Sequence, residues 1–425
     1  MAETGVDARR SAVYLLDQVL GDEPRLMSEL LGAGVLDKLA PDDRARAQRL
    51  AVETLRGLER ADRLLQKHLN KNPPLTVQNV LRVGTVELCN GGAAHGVVNA
   101  MVNLVARHQR FANLKGLVNA VLRKIAADGP EAWAALRAPR MPKWLRGPLS
   151  EAWGPDAIAA MEAAHFAGAP LDLSAKGDPE TLAAMVGGTV LPTGSVRVVD
   201  AGQVSAMPGF ETGDWWVQDA AAALPVQVLR PQKGEKVLDL CAAPGGKTMQ
   251  IAALGAEVTS VDNSSPRMAR VKENLARTGL EAKIVVKDVH AIIGSYDAIV
   301  LDAPCSATGT MRRHPDLPYA KDGSEFGTLI GMQGELIDHA WSLLNPGGRL
   351  IFCTCSLLPD EGEVQIDEAL ERHNDMSVDT GALDLPGVEA EWITSEGGLR
   401  LRPDYWADKG GMDGFYIACL RKSRT

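Results

Sequence analysis

Lys236-Val-Leu-Asp-Leu-Cys-Ala-Ala-Pro-Gly-Gly-Lys-Thr248 is the stretch that decides the fold of this chain. Its first half predicts a short buried strand of a parallel sheet, because the apolar run lies between Gly234 and the Pro244-Gly245-Gly246 turn. The glycine pair lets the backbone come close to a ligand, and the first turn of a following helix presents free N–H groups. The stretch therefore predicts a strand, a tight loop and a helix that together hold a small molecule.

The kind of ligand follows from what the loop lacks and from the acids that come next. The loop contains neither G-x-x-x-x-G-K-[ST] nor G-x-G-x-x-G, which disfavours ATP and NAD. Asp262 ends the next predicted strand, where a doubly wound sheet places an acceptor for ribose hydroxyls, and Asp288 follows the third, where it can meet an adenine amino group. We therefore expect S-adenosylmethionine as the cofactor. A tight turn in another kind of α/β enzyme is the alternative for the glycine loop alone.

The last part of the chain, residues 214–425, alternates between predicted strands and predicted helices. This alternation is typical of a parallel sheet with helices on both faces. The final two strands are expected to close the sheet as an antiparallel pair. The predicted strands cover residues 236–242, 257–262, 282–287, 297–302, 349–355, 399–402 and 415–421, and the predicted helices cover 245–254, 265–278 and 331–344.

The front of the chain predicts a different architecture. Apolar side chains recur at helical spacing through residues 6–128, so we expect an all-α bundle that occupies residues 1–130. Residues 131–213 are expected to form a linker, rich in proline at first, and then a small α/β module. In that module we expect helices near 155–167 and 179–185 and extended segments at 170–174 and 196–199.

Composition limits the possible classes of protein. The chain has 425 residues, of which 45% are hydrophobic and 23% charged, as in ordinary globular proteins with two or three domains. No apolar run is long enough for a membrane span and the first ten residues lack the apolar segment of a secretory signal, so we expect a cytoplasmic protein. The six cysteines show no paired CxxC spacing, which predicts free thiols and no metal site.

Positive charge is concentrated in one segment, although the formal net charge is −9. Residues 101–150 contain nine basic and two acidic residues. A local basic surface is what an RNA-binding protein requires. We therefore expect this segment, including Arg123 and Lys124, to contact RNA, and a solvated helix face is the alternative for any one of these residues.

Two cysteines follow neighbouring predicted strands. Cys305 lies in Asp302-Ala-Pro-Cys-Ser306 and Cys355 in Thr354-Cys-Ser356, and adjacent strand ends lie about 5 Å apart. Cytosine C5 accepts a methyl group only after a thiolate has added to C6, a covalent strategy that divides one difficult step into easier ones. We therefore expect one thiol to be the nucleophile, the second to assist removal of the C5 proton, and Asp302 to support the base near N3. A buried structural role is the alternative for any single cysteine and is expected for Cys353.

These motifs resemble the NOP2/Sun family of RNA cytosine-5 methyltransferases, which implies a class I Rossmann-like domain. The resemblance implies that Cys355 is the nucleophile, that Cys305 aids release, and that Lys247 lies near Asp302. It implies phosphate contacts from Arg312 and Arg313. The chain departs from the family at Glu361-Gly-Glu363, where Glu-Asn-Glu is common. The cofactor-binding residues that the resemblance implies are Cys241, Ala242, Ala243, Pro244, Gly245, Gly246, Lys247, Asp262, Asp288 and Asp302.

The helical front resembles the NusB-like RNA-binding domain through Asp43-Arg44, Leu81-Arg-Val-Gly84 and Gly116-Leu-Val-Asn-Ala-Val-Leu-Arg123. The middle module occupies the place of a small RNA-recognition-like module in the family, but it has Leu173-Ser-Ala-Lys176 where Arg-Val-Asn is frequent. Together the two resemblances imply a monomeric cytosine-5 methyltransferase that acts on 16S ribosomal RNA, free or in an early particle. A transfer RNA substrate remains one alternative. The other is an RNA-binding ribosome assembly factor without turnover.

Overall fold

The computed structural model of the protein describes residues 4–424, so residues 1–3 and 425 of the predicted first and last domains lie outside the described part. The chain forms two compact units. The first extends to Gly168 and also includes Met311–Asp322, and the second comprises Ala169–Thr310 and the chain from Gly323 onward. Among the described helices, none has both the length and the apolar character needed to cross a membrane.

The first unit is helical, as the apolar periodicity predicts. Pro41 occupies the first turn of one helix together with Asp42 and Asp43, where a missing N–H costs nothing and negative charge is favourable. The apolar stripes meet in a single core in which Leu81 and Met101 are completely buried. The helices are Thr4–Val19, Met27–Gly32, Pro41–Arg56, Leu58–Gln66, Leu75–Cys89, Ala94–Ala106, Lys115–Ala134, Lys143–Trp153, Pro155–Ala167 and the short Leu317–Ala320.

The predicted end of the bundle differs from the observed one. The helix Lys115–Ala134 includes Pro130 and passes through the expected boundary at residue 130, because its apolar stripe continues to Trp133 in the core. Lys143–Trp153 and Pro155–Ala167 then belong to the same unit. The helix predicted near residues 155–167 is therefore confirmed but belongs to the helical unit, and Lys143–Trp153 lies in the segment that was expected to be a linker.

The segment Met311–Asp322 lies far along the chain but forms part of the helical unit. Asp316 Oδ2 accepts a hydrogen bond from the Met27 backbone N–H at 2.8 Å. Trp144 Nε1 donates to the carbonyl oxygen of Pro318 at 3.1 Å. The helical unit thus holds, by specific hydrogen bonds, a segment that begins only a few residues after Cys305.

The second unit begins with the small module. Its strands are β1 Leu171–Ala175, β2 Thr189–Val190, β3 Val196–Val198 and β4 Trp215–Val217. They form an antiparallel sheet in the order β2-β3-β1-β4, and its core contains Leu173 and Trp215. The helix Pro179–Val186 packs on this sheet, and Asp178 at the start of the helix accepts a hydrogen bond from the Thr181 backbone N–H. The helix and extended segments predicted for residues 170–199 are confirmed.

An eight-stranded sheet forms the rest of the second unit, and its strands are β5 Lys236–Leu240, β6 Glu257–Asp262, β7 Lys283–Val286, β8 Tyr296–Asp302, β9 Leu344–Thr354, β10 Met376–Val378, β11 Leu399–Leu401 and β12 Phe415–Lys422. The order is β10-β12-β9-β8-β5-β6-β7, and β11 pairs with β12. Strands β5 to β9 are parallel, and β12 runs antiparallel to β9 and β11. The predicted doubly wound sheet and its antiparallel closure are confirmed.

Helices cover both faces of this sheet. Val237 packs on one face and Leu238 on the other, and both are fully buried, which explains why the strand is apolar at successive positions. Besides Pro179–Val186, the helices of the second unit are Ala220–Leu229, Gly246–Ala253, Ser265–Thr278, Phe326–Ser342 and Glu363–Arg372. All parallel strands end at one edge, which is where the candidate site lies.

Candidate active site

The loop after β5 has the backbone shape of a ligand cradle. Cys241 and Gly245 both adopt positive φ, at 59° and 102°. Ala242 N–H donates to the carbonyl oxygen of Val261 at 3.0 Å, which fixes the loop against β6. A Cβ at Gly245 would come within 3.0 Å of the Val271 side chain, so glycine is needed there for space as well as for φ. The predicted strand, tight loop and helix are confirmed.

A buried acid, Asp239, is hydrogen-bonded to the helix that follows this loop. Asp239 on β5 is fully buried, and its Oδ2 accepts a hydrogen bond from Thr248 Oγ1 at 2.5 Å. Burial raises the pKa of Asp239 to about 7. Its other oxygen, Oδ1, has no hydrogen-bond partner among the described residues. Thr248 also lies 3.0 Å from Ser260 Oγ, so β5, β6 and the helix that begins at Gly246 are joined under the loop.

Asp262 and Asp288 follow the cradle along the edge of the sheet. Asp262 is buried at the end of β6, and it accepts hydrogen bonds from Ser264 N–H at 2.9 Å and from Arg267 Nη2 at 2.8 Å. Asp288 follows β7, is exposed, and accepts a hydrogen bond from His290 N–H at 2.9 Å. Both carboxylates therefore occupy the edge at which ribose and adenine acceptors were expected.

Lys247 and Asp302 form an ion pair beside the cradle. Lys247 Nζ lies 2.8 Å from Asp302 Oδ2, and the lysine side chain is almost completely buried. Burial alone would lower the pKa of Lys247, but the neighbouring negative groups, with Asp302 the strongest among them, together outweigh burial and raise that pKa. Cys353 Sγ lies 3.6 Å from the other oxygen of Asp302. Burial, with Asp302 nearby, raises the pKa of Cys353, which fits the structural role expected for this thiol.

The structure brings the two predicted catalytic thiols together. Cys305 Sγ and Cys355 Sγ lie 3.5 Å apart. The hydrogen bond to Cys355, followed by burial, raises the pKa of Cys305 well above its ordinary value. Either sulfur can be the donor of this contact, and a proton donated by one sulfur stabilises a thiolate on the other.

Glu361 lies under the two cysteine loops and was not identified from the sequence. The carboxylate is fully buried and accepts hydrogen bonds from the Ser306 backbone N–H at 2.9 Å and from Ser306 Oγ at 2.5 Å. Gln333 Nε2 donates both to Glu361 Oε1 at 3.1 Å and to the carbonyl oxygen of Pro304 at 2.8 Å. Glu361 and Gln333 therefore hold the residues on either side of Cys305. The only signal in the sequence was the family's acidic motif after Cys355.

Close backbone contacts complete the support of both loops. Gly309 N–H donates to the carbonyl oxygen of Cys355 at 2.9 Å, and Gly414 N–H donates to that of Gly309 at 2.8 Å. A Cβ at Gly309 would come within 2.0 Å of the Gly414 carbonyl oxygen. Only a glycine at position 309 therefore allows Gly414, which directly precedes β12, to come this close to the loop that follows Cys305.

The four predicted RNA contacts have different environments. Arg123 and Lys124 are exposed on the helix Lys115–Ala134, and Arg313 is exposed in the segment Met311–Asp322. Arg312, by contrast, has a fully buried side chain, and its contact with phosphate stays a prediction. The Arg56 guanidinium donates to the Arg312 carbonyl oxygen at 2.9 Å.

Comparison with known proteins gives two matching families and several similar chains. The family described as 16S rRNA methyltransferase RsmB/F matches residues 226–421, and the NusB family matches residues 6–127. Ribosomal RNA small subunit methyltransferase B of Cronobacter sakazakii is 34% identical over 443 residues, which cover 98% of this chain and 99% of that protein.

Two solved structures share the fold. The crystal structure of PH0851 has a TM-score of 0.75 and 21% identity, and the match covers 99% of this chain and 98% of that one. NSun6 from Pyrococcus horikoshii, solved with SFG, has a TM-score of 0.58 and 19% identity over 68% of this chain and 100% of that one. At these identities the likeness concerns the fold alone.

Proposed function

Because this chain belongs to the RsmB/F family of 16S rRNA methyltransferases, we propose that it methylates carbon 5 of a cytosine in small-subunit ribosomal RNA. The observation that carries the proposal is the 3.5 Å separation of Cys305 and Cys355 beside the Lys247–Asp302 ion pair. Carbon-5 chemistry requires one thiol that adds to the ring, and a second thiol beside it can help to release the product.

S-adenosylmethionine supplies an electrophilic methyl group in such a reaction, and the residues present fit it. The loop Cys241–Gly246 lies at the start of a helix, where backbone N–H groups are free to bind a ligand, and Gly245 allows the positive φ that this tight loop requires. The cofactor-binding residues proposed are Cys241, Ala242, Ala243, Pro244, Gly245, Gly246, Lys247, Asp262, Asp288 and Asp302. Asp262 would accept from ribose hydroxyls and Asp288 from the adenine amino group.

The covalent step is assigned to Cys355. Its thiolate forms a bond to C6 of cytosine, and the ring electrons move toward C5 while Asp302 supports charge near N3. C5 then takes the methyl group and becomes tetrahedral with one hydrogen. The Cys355–C6 bond breaks as that hydrogen leaves as a proton, which restores the aromatic ring and returns the thiolate.

Cys305 is assigned the removal of that proton. Its sulfur lies beside Cys355 and so faces the same ring. The hydrogen bond with Cys355, followed by burial, raises the pKa of the Cys305 thiol, so the thiol must first lose its proton to solvent water before it can act as a base. The Cys305 thiolate then accepts the proton from C5 and becomes a thiol, while the Cys355–C6 bond breaks.

RNA recognition is assigned to the helical unit, including its segment Met311–Asp322. Arg123, Lys124 and Arg313 are exposed cations that can meet phosphates, whereas the Arg312 side chain is buried in this structure. The target cytosine must leave its stack to reach the thiols, which favours free RNA or an early particle as the substrate.

The test is to incubate the protein with tritiated S-adenosylmethionine and separate pools of unmodified 16S RNA and transfer RNA, and then to identify the labelled nucleoside. We expect 5-methylcytidine from the 16S pool, and none with Cys355→Ala. Label from the transfer RNA pool alone would contradict the substrate, and no label from either would favour an assembly factor without turnover.

A further inference from the structure

A cavity of about 410 Å³ lies in the second unit, away from the cysteines. Arg349 on β9 lines this cavity. It lies about 16 Å along the strand from Thr354, the residue at which β9 ends. The cavity is therefore near the opposite end of the sheet from the candidate active site. Its polar lining consists of Arg230, Gln232, Arg349, Asp379 and Arg421.

One of the three arginines is fully occupied by the protein itself. Arg349 Nη1 and Nη2 contact the two carboxylate oxygens of Glu235 at 2.6 and 2.8 Å. Its Nε donates to the carbonyl oxygen of Leu229 at 2.8 Å. Arg349 therefore forms the wall of the cavity, and its charge is balanced by Glu235.

The other two arginines keep donors available. Arg421 uses only Nε, at 2.6 Å from Asp379 Oδ2, and half of its side chain is exposed. Arg230 uses only Nη2, which donates to the carbonyl oxygen of Asp384 at 2.8 Å. No other hydrogen-bond partner of these two guanidinium groups occurs within residues 4–424. Three guanidinium charges around the cavity thus face two carboxylates, and the excess is positive.

We propose that this cavity binds a phosphate group through Arg230 and Arg421. Guanidinium groups present parallel N–H donors that match phosphate oxygens, and they remain charged at every physiological pH. The volume is within the range of small-ligand pockets. The proposal rests on the proposed function in one respect, namely that RNA is the partner that supplies phosphodiesters. A free phosphorylated compound presents the same group.

The test compares the wild type with the double variant Arg230→Gln/Arg421→Gln. Arg372→Gln is the matched control, because Arg372 also forms ion pairs with partly exposed carboxylates, those of Asp338 and Glu368, but lies outside the cavity. RNA affinity is measured at several salt concentrations, and binding of inorganic phosphate is measured by calorimetry. We expect the double variant to bind 16S RNA about threefold to tenfold more weakly, with a salt slope lower by about 1.

Loss of phosphate binding with unchanged RNA affinity would support the phosphate site and assign it to a free phosphorylated ligand. Wild-type behaviour of the double variant with both ligands would overturn the proposal. The single variant Arg230→Gln, which breaks no ion pair, guards against a folding defect caused by the loss of the Arg421–Asp379 contact. Methyl transfer by the wild type is measured in parallel, so a failure of the proposed function would be distinguishable from a failure of this site.

Discussion

Replacement of Glu361 by glutamine tests whether the buried carboxylate positions Cys305. Glutamine has almost the same shape, but it replaces one acceptor oxygen by an amide group that can only donate. At least one hydrogen bond from Ser306 is then lost, and these bonds are 2.5 to 3.2 Å long in the wild type. A hydrogen bond to a charged group contributes about 1.5–3 kcal/mol.

Such a loss in the transition state corresponds to a decrease in kcat of roughly 10- to 100-fold, since about 1.4 kcal/mol changes a rate tenfold. We expect KM for RNA to stay the same, because Glu361 is fully buried and does not reach the substrate. The negative charge of Glu361 also contributes to the raised pKa of Cys305, after the hydrogen bond to Cys355 and burial. Its removal should therefore shift alkylation of Cys305 to lower pH.

The assay measures methyl transfer under multiple turnover and follows alkylation of Cys305 by mass spectrometry across pH. Glu162→Gln is the control, because Glu162 is also buried and accepts bonds from Met141 N–H at 3.0 Å and from Arg146 Nε at 2.9 Å. An unchanged kcat together with an unchanged alkylation profile in Glu361→Gln would refute the positioning role. Equal effects in Glu162→Gln would mean that the loss of activity in Glu361→Gln comes from a general loss of stability.

Three further substitutions have defined outcomes. Lys247→Met removes the cation from Asp302 at 2.8 Å and should lower the free energy of unfolding by about 3 kcal/mol, measured by denaturant titration. Gly309→Ala places a Cβ 2.0 Å from the Gly414 carbonyl oxygen and should cost about 1–3 kcal/mol and most of the activity. Asp239→Asn should flatten the pH dependence of stability. Asp239 binds a proton up to a pH of about 7 when folded but only to about 3.8 when unfolded, so wild-type stability falls between those values, by about 4 kcal/mol in total.

Each of these predictions has a result that contradicts it. Wild-type stability of Lys247→Met would mean that the ion pair contributes nothing net. Full activity of Gly309→Ala would mean that β12 can move away from the loop without affecting the thiols. A wild-type slope for Asp239→Asn between pH 4 and pH 7 would assign the pH dependence to other groups.

The sequence predicted the sheet because its signals are local. Val237 and Leu238 are apolar on both faces of one strand, and Pro244-Gly245-Gly246 marks the turn that follows. The adjacency of β8 and β9 then placed Cys305 and Cys355 at one edge, and the structure confirms that neighbouring position. The family resemblance contributed the order of their roles, which stays a prediction.

The sequence did not indicate that Arg312 and Glu361 are buried, because their contacts are with residues that are distant in the sequence. Arg312 stands in a polar, basic stretch that is typical of a surface loop, but its partner Arg56 is more than 250 residues away. Glu361 lies among acidic residues that suggest solvent exposure, and its partner Ser306 is 55 residues away. No periodicity within either segment could have indicated that these charges are buried.

The most direct test of the central claim is the detection of a covalent enzyme–RNA species on a denaturing gel. Cys305→Ala should accumulate this species with 16S RNA and S-adenosylmethionine, because Cys355 can add to C6 while the base that completes release is missing. Cys355→Ala and the double variant should give none. A covalent species in Cys355→Ala would exchange the roles of the two thiols, and its absence from Cys305→Ala would contradict the proposed release step.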